Sequence, residues 1–186
     1  CFVFFFSPPH FRMAAERQAV QLTWVGGCSR IKGVEAAKFG LPFAAFRGPK
    51  GSDIVAEAAD LYQPVRCPFT GQELTAIQAI VPDVAIIHAQ RADAAGNVQM
   101  IGTSASDLDM AMAAKAVIVT VEEIVSADEI RASKSATKLF RNDVDLVIHC
   151  PMGASPCSSR PYYSSHLLPL QKDVAGLKSQ TPGWYH

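Results

Sequence analysis

The sequence predicts an α/β fold: an open, mostly parallel sheet flanked by helices. Three observations carry this. Val84 to Ile87 and Val117 to Val121 are short apolar runs rich in β-branched residues, which suit strands covered on both faces, as in a parallel sheet. Between them lies a helix signal. Ser104, Ser106, Asp107 and Asp109 offer oxygens to the free N–H groups of a first turn, Met110, Ala113 and Ala114 give an apolar side, and Lys115 falls in the last turn. The stretch Asp93-Ala94-Ala95-Gly96-Asn97 has turn chemistry, because Asp bonds the backbone ahead of it and Gly and Asn tolerate positive φ. Val98 to Ile101 then reads as a second short strand, so a hairpin-like excursion is expected near Gly96.

The remaining elements follow in order. Cys1 to Phe6 is strongly apolar, lacks a basic flank and is too short for the apolar region of a signal peptide. It reads as a buried strand cut by a fragment boundary, or as added sequence. His10 to about Ala19 has helical spacing, and Val20 to Val25 alternates like a strand. Ser29 is the expected cap of a helix running to Phe39, with Gly40 at C′ and Pro42 forbidding continuation. Phe43 to Phe46 is short and apolar. Arg47 to Asp53 is a loop with two cations, two glycines and an N-cap candidate. It reads either as a surface turn or as an anion-holding loop, since glycines bring backbone N–H groups close to a ligand. Cys67 to Gln72 is a turn, and Glu73 to Ile80 reads as one or two helical turns. Ser126 to Ala132 is a short helical or turn segment, Val144 to Ile148 a buried strand, and Pro151 to Pro156 a loop. Leu167 to Leu177 reads as a poorly ordered helix. With no repeat or linker, the 186 residues form a single domain.

Composition excludes several classes. Lys plus Arg and Asp plus Glu are balanced at 17 each, with no basic tract, so nothing favours nucleic acid or an anionic membrane. No apolar run reaches the ~18 residues of a spanning helix. The five cysteines are odd in number and unpaired in spacing, which points to reduced thiols and a cytoplasmic location. The five histidines show no ligand spacing, so no metal is expected. There is no Gly-x-Ser-x-Gly elbow, Walker loop or dinucleotide fingerprint.

Two places hold candidate chemistry. His88 falls where the Val84 strand is expected to end, and in open α/β sheets ligands bind outside those ends; the alternative is a structural hydrogen-bond partner. Asp93, Gly96 and Asn97 either serve the turn's geometry or line a site with it. Glu122-Glu123 is a tempting acid pair, but strand alternation sends neighbours to opposite faces. The two cannot serve one site, and one is expected to meet solvent or an ion pair.

The chain also resembles the A (alpha) subunit of family I coenzyme A transferases, of the glutaconate CoA-transferase type. The resemblance rests on Pro82 to Ala89, Ala92-Asp93 with Gly96-Asn97, and Ala113-Ala114-Lys115 running into Val119 to Val125. Gly40 to Phe43, Gly51-Ser52-Asp53, Pro68 to Gly71 and Gly153-Ala154 extend it in consistent order, clearest over residues 35–163. The family often has His where Ser155 stands. Such subunits begin with an upstream strand and glycine-rich loop and run beyond His186, so the resemblance implies a chain truncated at both ends.

The resemblance implies CoA transfer between carboxylic acids. A glutamate attacks the acyl-CoA thioester to give a mixed anhydride, and the CoA thiolate returns to form a glutamyl-CoA thioester. The acceptor acid then reverses the steps. Such a site stabilises oxyanions with preorganised donors and excludes water. In two-subunit members the nucleophile belongs to the B (beta) subunit, so this chain is expected to carry no catalytic nucleophile and no cofactor, with the coenzyme A thioester as substrate. Its partners are a B-type subunit, an acyl-CoA and a carboxylic acid, in a hetero-oligomer. The substrate-binding residues it implies are Gly51, Ser52, Asp53, His88, Asp93, Gly96 and Asn97. Two rivals remain. Relatives that open rings of CoA-thioester intermediates in steroid degradation use an acid before the Gly-Leu-Pro-Phe match, where Trp24 to Cys28 has none. The other is a non-catalytic α/β binding domain.

Overall fold

A computed structural model describes residues 9–165 of the chain apart from 21, 22, 24 and 50. α1 (Pro9–Glu16) begins one residue before the expected first helix and ends three residues short of its expected end. Of the strand expected at Val20 to Val25, residues 21, 22 and 24 lie outside the described residues, and 20, 23 and 25 are not in a strand. α2 (Gly27–Lys38) starts two residues before the expected cap, with Gly26 in the N-cap position. Ser29 is instead buried inside its first turn. The helix ends as expected: Gly40 has φ +67°, and the Leu41 N–H donates to the Ala36 carbonyl at 2.9 Å.

The next elements form a three-stranded antiparallel sheet. β1 (Phe43–Phe46) is followed by the short α3 (Asp53–Glu57), β2 (Tyr62–Arg66) and β3 (Glu73–Gln78). β3 is central, paired with β1 on one side and β2 on the other. This overturns the helical reading of Glu73 to Ile80. Eight residues are too few to separate the two periods. Pairing on both edges, with Thr75, Ala76 and Ile77 all buried, decides for the strand. Ile77 packs with Tyr62 and Ala58, and Ala44, Phe46 and Leu61 close around them.

The larger sheet holds the expected parallel centre. β4 (Val84–Asp93) turns through residues 94–97 into the antiparallel β5 (Val98–Gln99), confirming the hairpin. α4 (Asp107–Ala113) leads to β6 (Ala116–Val125), which pairs in parallel with β4. α5 (Ala127–Ala132) starts on a capping box between Ser126 and Glu129. β7 (Thr137–Leu139) joins β5 antiparallel, and β8 (Leu146–His149) joins β6 in parallel. The strand order is β7-β5-β4-β6-β8, and this sheet of the α/β fold is mixed, with parallel β4-β6 and β6-β8 ladders and antiparallel β4-β5 and β5-β7 ladders. Ile87, Val98, Val119, Val121 and Leu139 make its buried core, with Ala111 of α4 among them.

β4 is longer than expected and corrects the position of His88. The strand runs on to Asp93, because the ladder with β6 continues to Val125. His88 therefore sits in mid-strand, opposite Thr120. Cys1 to Phe6 and Leu167 to Leu177 lie outside the described residues. Among the described residues no helix is long and apolar enough to cross a membrane.

Candidate functional site

The parallel register sets His88 beside Thr120, and alternation brings Glu122 to the same face. The His88 ring spans both. Its Nδ1 meets Thr120 Oγ1 at 2.9 Å, and its Nε2 meets Glu122 Oε1 at 2.6 Å. Glu122 is only 5% exposed. Its Oε2 accepts the Met152 N–H at 2.8 Å, and its Oε1 also accepts the Tyr163 hydroxyl at 2.6 Å. That hydroxyl in turn accepts the Ala154 N–H at 3.0 Å. One carboxylate thus ties β4, β6, the loop after β8 and the Tyr163 segment together. Such a network is stable only when every member is satisfied.

Burial pushes the Glu122 carboxyl up, but bonds from Tyr163, Met152 and His88 outweigh it and hold it below the usual carboxylate range. Burial, and the bond to Glu122, push the Tyr163 phenol up. The loop fits closely against this network. A Cβ on Gly153 would lie 2.9 Å from His88 Cε1 and Nδ1 and from the Cys150 carbonyl. Glu123 points the other way, as alternation requires, and pairs with Arg91 at 3.2 Å.

Beside the network is a polar pocket of about 310 Å³, lined by His88, Gln90, Gly102, Ser104, Asp107 and Arg160 among others. This is within the range of about 300–1,000 Å³ for small-ligand sites. Gln90 fixes two of its walls. Its Nε2 donates to the carbonyls of Arg160 at 3.0 Å and Ile101 at 3.4 Å, and its Oε1 accepts the Ile101 N–H at 2.9 Å.

The seven residues read from the sequence do not meet in one cavity. His88 lines the pocket just described. Gly51, with φ +82°, lines a separate cleft of about 640 Å³ against β2 and β3. Ser52 takes the N-cap position of α3 without a side-chain capping bond, and Asp53 opens that helix. Gly96 lines a third cavity, of about 390 Å³, with Ile124 and Val144. Asp93 is five residues along β4 from His88, roughly 16 Å at the rise of a strand.

Asp93 and Asn97 serve the turn itself. Asp93 is 2% exposed, and its Oδ1 accepts the N–H groups of Ala95 at 3.0 Å and Asn97 at 2.9 Å. Its Oδ2 accepts the Asn97 side-chain amide at 2.8 Å. Burial pushes the Asp93 carboxyl up, but the bonds from Asn97, Ala95 and Gly96 outweigh it and hold it low. Gly96 adopts φ +95°, a conformation that costs other residues about 1–2 kcal/mol.

Three residues escaped the sequence reading: Glu122 in this role, Tyr163 as its partner, and Gln90 as the clamp. Alternation did separate Glu122 from Glu123. Nothing local joins Glu122 to Tyr163, which lies 41 residues away.

Known proteins share this fold. A family model described as "Coenzyme A transferase" matches residues 7–144. The A subunit of the 3-oxoadipate CoA-transferase of Pseudomonas knackmussii is 41% identical over 128 residues, 69% of this chain and 44% of that protein. The A subunit of the glutaconate CoA-transferase of Acidaminococcus fermentans is 36% identical over 136 residues, 65% of this chain and 42% of its own. A chain of that enzyme's crystal structure superposes with a TM-score of 0.83 at 28% identity, covering 92% of this chain and 62% of that one. The cholesterol ring-cleaving hydrolase IpdA subunit of Rhodococcus jostii is 32% identical over 131 residues, 66% of this chain and 44% of its own. The chain therefore spans under half the length of these curated relatives. With a matching family model over most of its residues and a matching fold, it belongs to the coenzyme A transferase family.

Proposed function

We propose that the chain acts as the A subunit of a heteromeric CoA-transferase, moving CoA between an acyl-CoA and a small dicarboxylic acid in the cytoplasm. The nucleophilic glutamate comes from a B-type subunit. The observation that carries this reading is the state of Glu122. It is the buried carboxylate beside the His88 pocket, and three donors occupy its two oxygens. A nucleophile needs a free lone pair aimed at the thioester carbonyl. Glu122 is 5% exposed and its oxygens hold His88, Tyr163 and Met152, which supports a positioning role in this reading, with the attacking carboxylate supplied from outside this chain. The two transferase relatives described above carry dicarboxylates in their names, which supports a dicarboxylate here.

In this reading the chain walls one side of a shared cleft. The Glu122 network fixes the loop at Ala154, Gln90 fixes the loop at Ile101, and both keep the pocket's donors in place before substrate arrives. A ring-opening hydrolase is the second reading, favoured by the likeness to the IpdA subunit. It needs an acid that Trp24 to Cys28 does not provide. The direct test is to co-purify the protein with a B-type partner and assay CoA exchange between acyl-CoA and free acids. Turnover with a dicarboxylate is expected. A stable complex that turns over none of them would sink the proposal.

A further inference from the structure

We propose, on the basis of the transferase reading, that the pocket beside His88 anchors the free carboxylate of a dicarboxylic acyl substrate, between Gly102-Thr103-Ser104 and Arg160. All four residues line the pocket. The backbone N–H groups of Gly102, Thr103 and Ser104 have no hydrogen-bond partner among the described residues. Gly102 has φ +97°, a left-handed conformation of the kind found in anion-binding nests of successive backbone N–H groups. Arg160 adds a guanidinium with no ion pair among the described residues. A guanidinium matches a carboxylate with two parallel donors. Gln90 braces the backbone of both walls, bonding to Ile101 and Arg160 beside the proposed donors.

Asp107 works in the opposite direction. It lines the same pocket, and its charge opposes a bound anion. Burial pushes its carboxyl up, towards the neutral form that a neighbouring anion favours further. Asp107 therefore weakens the anchor, and removing its charge should strengthen it.

The test uses the complex with a B-type partner and compares glutarate with valerate as CoA acceptors, two five-carbon acids differing by one carboxylate. The readout is the ratio of their kcat/KM values. Arg160→Gln should lower the glutarate-to-valerate ratio by about 10- to 100-fold, the scale of a lost hydrogen bond to a charged group. Asp107→Asn should raise it severalfold. A ratio within twofold of wild type in both variants overturns the anchor. So does a loss shared equally by both acids, which is what a pocket holding a CoA phosphate would give. If the wild type transfers no CoA at all, the transferase reading fails on its own. Calorimetric binding of glutarate then still decides the anchor: weakening by Arg160→Gln supports it, and unchanged binding overturns it.

Discussion

Replacing Glu122 with alanine is expected to cost about 3–5 kcal/mol of folding stability, the scale of removing one partner from a buried charged network. The substitution deletes the shared acceptor of three donors: His88 Nε2, the Tyr163 hydroxyl and the Met152 N–H. Each buried donor left without a partner costs about 1–3 kcal/mol. For a chain of this size the loss corresponds to roughly 6–20 °C in Tm. Denaturant unfolding of wild type and variant measures it directly. The effect should reach the pocket as well, because Ala154 lines it and hangs from Tyr163. Glu122→Gln keeps the shape and one acceptor oxygen, and should fall between wild type and alanine. A loss under about 1 kcal/mol for Glu122→Ala would mean that the network does not hold the loop.

Replacing Asp93 with alanine should cost about 2–4 kcal/mol, since two backbone N–H groups and the Asn97 amide lose their acceptor. The pH dependence has a definite sign. The folded carboxyl sits below its ordinary range, so its stabilisation is present above the unfolded value of about 3.9. It is lost as the pH falls through the lower folded value. Wild type and variant should therefore differ most near neutrality and converge in acid. This separates the two readings of the turn. If Asp93 served only to bind substrate, the variant would keep its stability and raise KM alone.

Much of the fold was legible because its signals are local. The apolar runs of β4 and β6, the αL glycine after α2 and the Asp-Gly-Asn turn each declare themselves within a few residues. β3 did not, because its six residues are too few to separate a strand period from a helical one, and its buried run Thr75-Ala76-Ile77 does not alternate. His88 was found as a residue of interest but misplaced, because strand length was set by the ladder with β6 and not by the sequence of β4. The split between Glu122 and Glu123 followed from alternation alone. The role of Glu122 did not, since its partners come from Met152 and Tyr163, which tertiary folding brings in. The seven residues read as one site share a family pattern in sequence, yet His88, Gly51 and Gly96 line three different cavities, and Asp93 and Asn97 hydrogen-bond within their own turn.

The most direct measurement traps the covalent intermediate. The heteromeric complex is incubated with acyl-CoA, reduced with borohydride, and each polypeptide is mapped by mass spectrometry for a modified glutamate. The expected result is inactivation, with the modification on the B-type subunit but none on this chain. A modified Glu122, or full activity after treatment, would contradict it.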